Sequence, residues 1–563
     1  MTKKSVAFFY AVIAVLLKCA SQGYPPGGPE DRTAPFIVHT HPARDTTNVP
    51  VDIKPTIIFS EPVNPTSCQE ALFITPFPGE NIRYKWKRDK ELTIIFGEAL
   101  LENRTYVFTI GAGTKDRRNN AMQSSFTLAF STGDVLDKAR IQGFVYGDRV
   151  EGTQIWAYDL ADTTTADPST FFPLYITQVG TNGAYQLTNM ALGNYRLFAV
   201  LDRDVNNRYN VEYDMLGVGS RDVLLDSSSF DIDNFNFRTT LQDTTPPRVI
   251  AAIAPDWHHV DLRFSESMLP DCLATVSNYS IVSENNSLEI LNASHDFYNA
   301  AVVHLATAKQ DSNSEYHLFV KEAYDLSYLP MLADSNAASF IGSAVPDTAK
   351  PAYLTMQPRD SSKFVLSFTP LHFYFSEAIK PETIQSHLVV ADTLGDTIKG
   401  TITWPEKSHF IYTPTQQFAA ERFYLTTLPV DSVFDLTGNP LADTLFQRQF
   451  TSINPDTLTA ISGTVRDADT TASGPFFLRA RSTDEKNSNN YNIWLDQPGL
   501  YAIKNMLPGS YIIELYRDED NNGRFSYGSA FPFSPAERFW VYADTITVRA
   551  RWPNDGEDLM LPE

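Results

Sequence analysis

The chain has 563 residues, 43% of them hydrophobic and 20% charged, which is enough for four or five domains with ordinary cores. Its formal charge of −22 excludes a nucleic-acid partner, because phosphate binding needs a basic face and counterion release by Lys and Arg. The three cysteines, Cys19, Cys68 and Cys272, neither build a disulfide framework nor fall into a Cys/His metal spacing.

The N-terminus reads as an export signal over residues 1–18. Lys3 and Lys4 precede an apolar stretch from Val6 to Leu17, which is too short to span a bilayer. Leu16-Leu17-Lys18-Cys19 resembles the lipobox of bacterial lipoproteins, and that resemblance implies lipidation of Cys19 and anchorage to the outer membrane. Lys18 departs from the small residue usual before such a cysteine, so ordinary secretion stays open as the alternative. Residues 19–30 are rich in Pro and Gly and read as a tether.

From Asp31 onward the chain repeats itself. Asp31-Arg32-Thr33-Ala34-Pro35 and Phe59-Ser60-Glu61 return at Asp347 to Pro351 and Phe375-Ser376-Glu377, both offset by 316 residues. Asp202-Arg203-Asp204 returns at the same offset as Asp518-Glu519-Asp520. A third copy of the first module type opens at Asp243 and carries Phe264-Ser265-Glu266. Within this type, short β-branched and aromatic runs such as Thr56-Ile57-Ile58-Phe59 and Tyr106-Val107-Phe108 are bounded by Pro, Gly and Asn, the pattern of a sandwich of about seven strands. A late turn, Asp116 to Asn120 or Asp435-Leu436-Thr437-Gly438-Asn439, precedes the last strand, whereas the turn after Asp325 lacks Gly-Asn. The triplet and the turn resemble those of the bacterial Ig-like domain of S-layer-type and surface proteins, over 31–133, 243–345 and 347–453.

The second module type, at 139–240 and 459–563, opens with Ile141-Gln142-Gly143 and Ile461-Ser462-Gly463. It continues with Gly183-Ala184-Tyr185 and Gly499-Leu500-Tyr501, then Gly193-Asn194-Tyr195 and Gly509-Ser510-Tyr511. It resembles the carboxypeptidase-regulatory or prealbumin-like β-sandwich. The expected fold is therefore all-β: tandem sandwiches, three Ig-like and two regulatory-like, forming an extended multidomain chain.

Asp518, Asp520 and Asn522, followed by Gly523, place oxygens at the first, third and fifth positions of a loop, the spacing by which a calcium site wraps a hard cation. Asp202, Asp204 and Asn206 repeat it with Asn207 in place of the glycine. Neither loop has glutamate at its twelfth position, so a hairpin closed by Asx-turns is the standing alternative. Calcium is the one cofactor the chain suggests.

Glu61, Glu266 and Glu377 occur in every copy and read as strand terminators that bond a neighbouring loop. Asp-Thr or Asp-Ser before an aliphatic residue, as at Asp392-Thr393-Leu394 or Asp443-Thr444-Leu445, resembles an O-glycosylation acceptor and equally fits a loop-to-strand transition. Cys68 and Cys272 hold equivalent places in separate modules and are expected as buried thiols without a disulfide. The ten histidines are scattered and no catalytic motif is present, so no enzyme is expected. The 12% aromatic content exceeds what thin sandwiches require and suggests exposed rings for contact, although Trp540 and Trp552 read as packing residues. The expected function is an outer-membrane or cell-surface lipoprotein that acts as a structural and interaction scaffold, binding an envelope protein or a glycan through its loops. The alternatives are a carbohydrate-binding accessory protein of a nutrient-uptake system and a subunit of an envelope-assembly complex.

Overall fold

A computed structural model describes residues 32–161, 166–284, 286–442, 446–484, 489–542 and 544–563. The export signal, Cys19, the tether, Asp31 and Asp443-Thr444-Leu445 lie outside them. Apolar residues at every second position of the strands close into five separate hydrophobic cores. They are built around Phe59 and Phe108, around Tyr195 and Phe237, around Leu262 and Leu305, around Phe373 and Phe410, and around Ile461 and Ile513.

The chain packs as two compact units. One holds the residues up to Tyr209 together with Leu216–Thr239 and Ser529–Pro535, and the other holds Asn210–Met215, Thr240–Gly528 and Ala536–Glu563. The first two cores lie in the former and the other three in the latter.

Each Ig-like module is a two-sheet sandwich. In the first, Ile37–His41, Thr56–Phe59, Glu91–Ile95 and Arg83–Lys87 pair in that order against Leu72–Thr75, Thr105–Ile110 and Phe126–Ser131. The other two have four strands in each sheet, one more than the seven expected. The addition is Ser287–Leu288 in one, and in the other Ser362–Val365, which pairs parallel to Phe446–Ser452.

The structure explains the repeated Phe-Ser-Glu. Its phenylalanine is the last, buried residue of a strand. The serine then holds the first strand twice: Ser60 N donates to Phe36 O at 2.7 Å while Ser60 Oγ accepts Phe36 N at 3.1 Å. Ser265 does the same with Arg248, and Ser376 with Ala352. A short helix with proline in its first turn follows each triplet.

The second module type has its own lock. Gly143 and Gly463 sit where a returning segment runs parallel to the opening strand, so close that a Cβ would lie 2.2 Å from Phe235 O or Glu557 O. Only glycine allows that approach. Tyr185 and Tyr501 donate their hydroxyls to those same two carbonyls, at 2.5 and 2.8 Å. Tyr195 and Tyr511 donate to Ala191 O and Leu507 O, and each lies edge-on to a second tyrosine, Tyr175 or Tyr491. Much of the aromatic content is therefore internal, with Tyr106, Tyr175, Tyr195, Tyr424 and Tyr511 fully buried. Trp540 packs on the last core, but Trp552 is 74% exposed on a turn and is not the packing residue expected.

Candidate functional site

The two Asp/Asn loops have one geometry. In the later loop Asp518 Oδ1 and Oδ2 accept the N–H groups of Asn522 and Gly523 at 3.0 and 2.9 Å. Asp520 Oδ2 accepts Asn522 Nδ2 and Ser526 Oγ, and Asn522 Oδ1 accepts Arg524 N. In the earlier loop Asp202 accepts Asn206 N and Asn207 N, Asp204 accepts Asn206 Nδ2, and Asn206 accepts Arg208 N. Asn207 stands in the left-handed region at φ 56°, as Gly523 does at φ 77°, which is why asparagine replaces glycine there. These donors make the geometry that of the Asx-turn hairpin, and a cation in either loop would have to displace them.

Beneath the later loop lies a residue that the spacing did not reveal. Glu537 is buried and brings a carboxylate oxygen within 4.8 Å of those of Asp518 and Asp520. Burial pushes its pKa up to about 7; the N–H groups of Ser526 and Glu519 oppose this, and Asp520 and Asp518 reinforce it. The neighbouring Arg538 forks onto Asp467 at 2.7 and 3.0 Å and reaches Glu519 at 3.0 Å. No local motif marks Glu537, because it arrives from the segment that leads into the strand Phe539–Val541.

The second gathering of acids is at one corner of the Ig-like modules of residues 243–345 and 347–453, where the opening aspartate, the triplet glutamate and the late-turn aspartate come together. Asp243, Glu266 and Asp325 each bring one carboxylate oxygen within 4.8 Å of the other two. In the last Ig-like module burial lifts the Glu377 pKa to about 7; His259 opposes this, and Asp435, Asp347 and Asp256 add to it. Glu266 and Glu377 thus face other carboxylates rather than simply bonding a loop.

Scattered in the sequence, several of the histidines gather where the module of residues 243–345 meets that of residues 347–453. His259 Nδ1 lies 2.9 Å from Asp256 and Nε2 3.7 Å from Glu377, while His295 Nδ1 meets Glu406 at 2.8 Å. Lys407 Nζ donates to Leu291 O across the same junction. His409 packs against both Tyr374 and His372, and burial pushes its pKa down to about 4. A cleft of about 270 Å³ lies here, lined by His258, His259, Leu291, Ala306, Thr307, Leu436 and Thr437.

A second cleft, of about 300 Å³, is lined by Phe73, Thr75, Thr109, Thr127, Thr177, Gln178 and Gln186 among others, with hydroxyls and amides but no ionisable side chain. Both thiols are free. Burial pushes Cys68 up to about 12, whereas Cys272 is only half-buried, less than expected. At Asp392-Thr393 the aspartate accepts Leu394 N and Asp396 N, which closes a turn. No helix among the described residues is long and apolar enough to cross a membrane.

Paired sheets, clamped triplets and closed late turns define tandem sandwiches of the immunoglobulin type. The family model of the bacterial Ig-like domain matches residues 31–132 and 347–452, so these two segments are bacterial Ig-like domains. No curated protein matches it. Among solved structures, the N-terminal part of the bacterial S-layer protein SbsC is similar at 12% identity and TM-score 0.16, over 37% of this chain and 44% of that one. L,D-transpeptidase 3 from Mycobacterium tuberculosis is similar at 12% identity and TM-score 0.14, over 21% and 40%. Domains 1–6 of SbsC are similar at 8% identity and TM-score 0.16, over 92% and 66%. The chain thus spans less than half the length of the first two, and likenesses this slight bear on no further point.

Proposed function

We propose that the protein is a non-catalytic scaffold of the cell surface, held at the outer membrane by a lipid on Cys19, which presents loops to an envelope protein. The observation that carries this reading is the set of five separate closed cores, among which an acidic corner recurs in two Ig-like modules and a tyrosine lock in both modules of the second type. A repeated feature serves architecture, whereas a catalytic site is assembled once. Crosslinking on intact cells followed by capture of the full chain tests it, with protease accessibility reporting the membrane face. A Cys19→Ala variant should leave the membrane fraction, and retention of that variant there would remove the anchor.

The hydroxyl- and amide-lined cleft supports a second reading, a carbohydrate-binding accessory of nutrient uptake. Neutral donors and acceptors beside Phe73 suit a neutral sugar. Glycan-array binding that Gln178→Ala and Gln186→Ala weaken at least tenfold would favour it over the scaffold, and a blank array would discard it.

A further inference from the structure

Three acids far apart in sequence meet in the module of residues 243–345: Asp243 from its entry segment, Glu266 at the end of strand His259–Phe264, and Asp325 in the late turn. Ser327 Oγ donates to Asp243 at 3.2 Å and Ser265 Oγ to Glu266 at 3.3 Å. Such crowding would not make a site by itself. What distinguishes this corner is Asp325, which is 1% exposed: its Oδ1 accepts Leu329 N at 2.8 Å, and its Oδ2 is buried with no hydrogen-bond partner. In the other two Ig-like modules the corresponding oxygen is met by an asparagine amide, Asn120 Nδ2 to Asp116 Oδ2 at 2.8 Å and Asn439 Nδ2 to Asp435 Oδ2 at 2.9 Å. Leu329 occupies that place here and cannot donate from its side chain.

A buried carboxylate oxygen without a donor is unfavourable unless a charge compensates it. Burial raises the pKa of Asp325, and Asp243 raises it further against the Leu329 and Ser327 N–H groups. Glu266 is raised by burial and then by Asp243 and Asp325. Arg524 contributes positive charge, but its guanidinium lies over the Tyr328 ring at 3.6 Å and Nη1 reaches Ser327 O at 3.4 Å.

We propose that Asp243, Glu266 and Asp325 hold a divalent cation of the calcium type. The donors are all oxygen, and Asp243 is exposed, so waters can complete the six to eight ligands that calcium accepts. Magnesium, which usually keeps its water shell and takes one or two carboxylates, suits three converging acids less well. The ion takes the place of the amide lost with the asparagine, and it ties the module's entry segment to its strand end and late turn.

The test is calorimetric titration of calcium chloride into the chelator-treated full chain at physiological salt, with thermal unfolding in parallel. The wild type should give binding heat and a higher midpoint at millimolar calcium. Asp325→Asn should weaken binding at least tenfold, and so should Leu329→Asn, which restores the amide of the sister modules. Leu329→Asn is expected to fold at least as well as the wild type, so it decides the matter if Asp325→Asn does not fold. Asp518→Asn should leave this binding in place. The proposal is overturned by an absence of heat in the wild type, or by heat that disappears in Asp518→Asn and persists in Leu329→Asn. It is equally overturned by a proton shared between Glu266 and Asp325 at neutral pH that calcium does not displace.

Discussion

The late turns of the first and last Ig-like modules close around their aspartate, while that of the middle module leaves the same aspartate half engaged. Asp116 accepts Arg118 N, Asn120 N and the Asn120 amide, and Asp435 accepts Thr437 N, Asn439 N and the Asn439 amide. Asp325 keeps Leu329 N and loses the amide. The sandwich forms in all three cases, so the asparagine is not what specifies the fold. It satisfies a buried acceptor, and where it is missing the free valence is left for something else.

The strongest way to break this comparison is to impose the middle module's sequence on a sister. Asn439→Leu should destabilise its module by about 1–3 kcal/mol, the usual effect of leaving a buried acceptor unpaired, and denaturant unfolding should register it. A change within error would mean that the amide contact is incidental and would remove the contrast.

Acidity sharpens the contrast next. Burial works to raise Asp116, but the Asn120 amide and the backbone N–H groups outweigh it and hold the folded-state pKa below the ordinary 3.8. The stability it lends is therefore present above that value and is lost as the pH falls through the lowered one. Asp325 and Glu266 are raised, so their contribution is full below their ordinary values and is lost as the pH rises through the raised ones. Glu377 follows the same sign, with its loss spread between 4.5 and about 7. In chelator, amide exchange resolved by module should show Asp116 and Asp325 responding to acid in opposite directions. Glu377→Gln should flatten the decline in its own module, an effect of up to roughly 3 kcal/mol over that range.

Leu329→Asn is the reciprocal exchange and should stabilise the metal-free middle module by about 1 kcal/mol. A neutral or destabilising result would show that Asp325 Oδ2 needs no donor. The smallest effect belongs to a control pair in which the repeats are equivalent. Tyr185→Phe and Tyr501→Phe each lose one hydroxyl bond to a carbonyl and should cost about 0.5–1.5 kcal/mol by the same amount in both modules. Unequal losses would show that duplicated contacts need not carry equal weight, and would weaken any inference drawn from the turns.

That the chain is a tandem series of all-β sandwiches was legible because alternation, turn residues and a fixed offset are local or periodic signals. The double role of Ser60, Ser265 and Ser376 was not, since it depends on a partner strand some two dozen residues upstream or less. Glu537 escaped notice for the same reason, and so did the meeting of His259 with Glu377 and of His295 with Glu406. Trp552 was misread because composition reports how many rings there are and not which of them face water.

By itself the sequence determined that this is an array of small β-sandwiches with one departure, the missing Gly-Asn after Asp325, because hydrophobic period and turn chemistry act over a few residues. Only the tertiary structure decided what that departure means. Whether an oxygen is buried, and which donor reaches it, depends on how distant segments pack around it, and the identities of its neighbours in the chain do not carry that information.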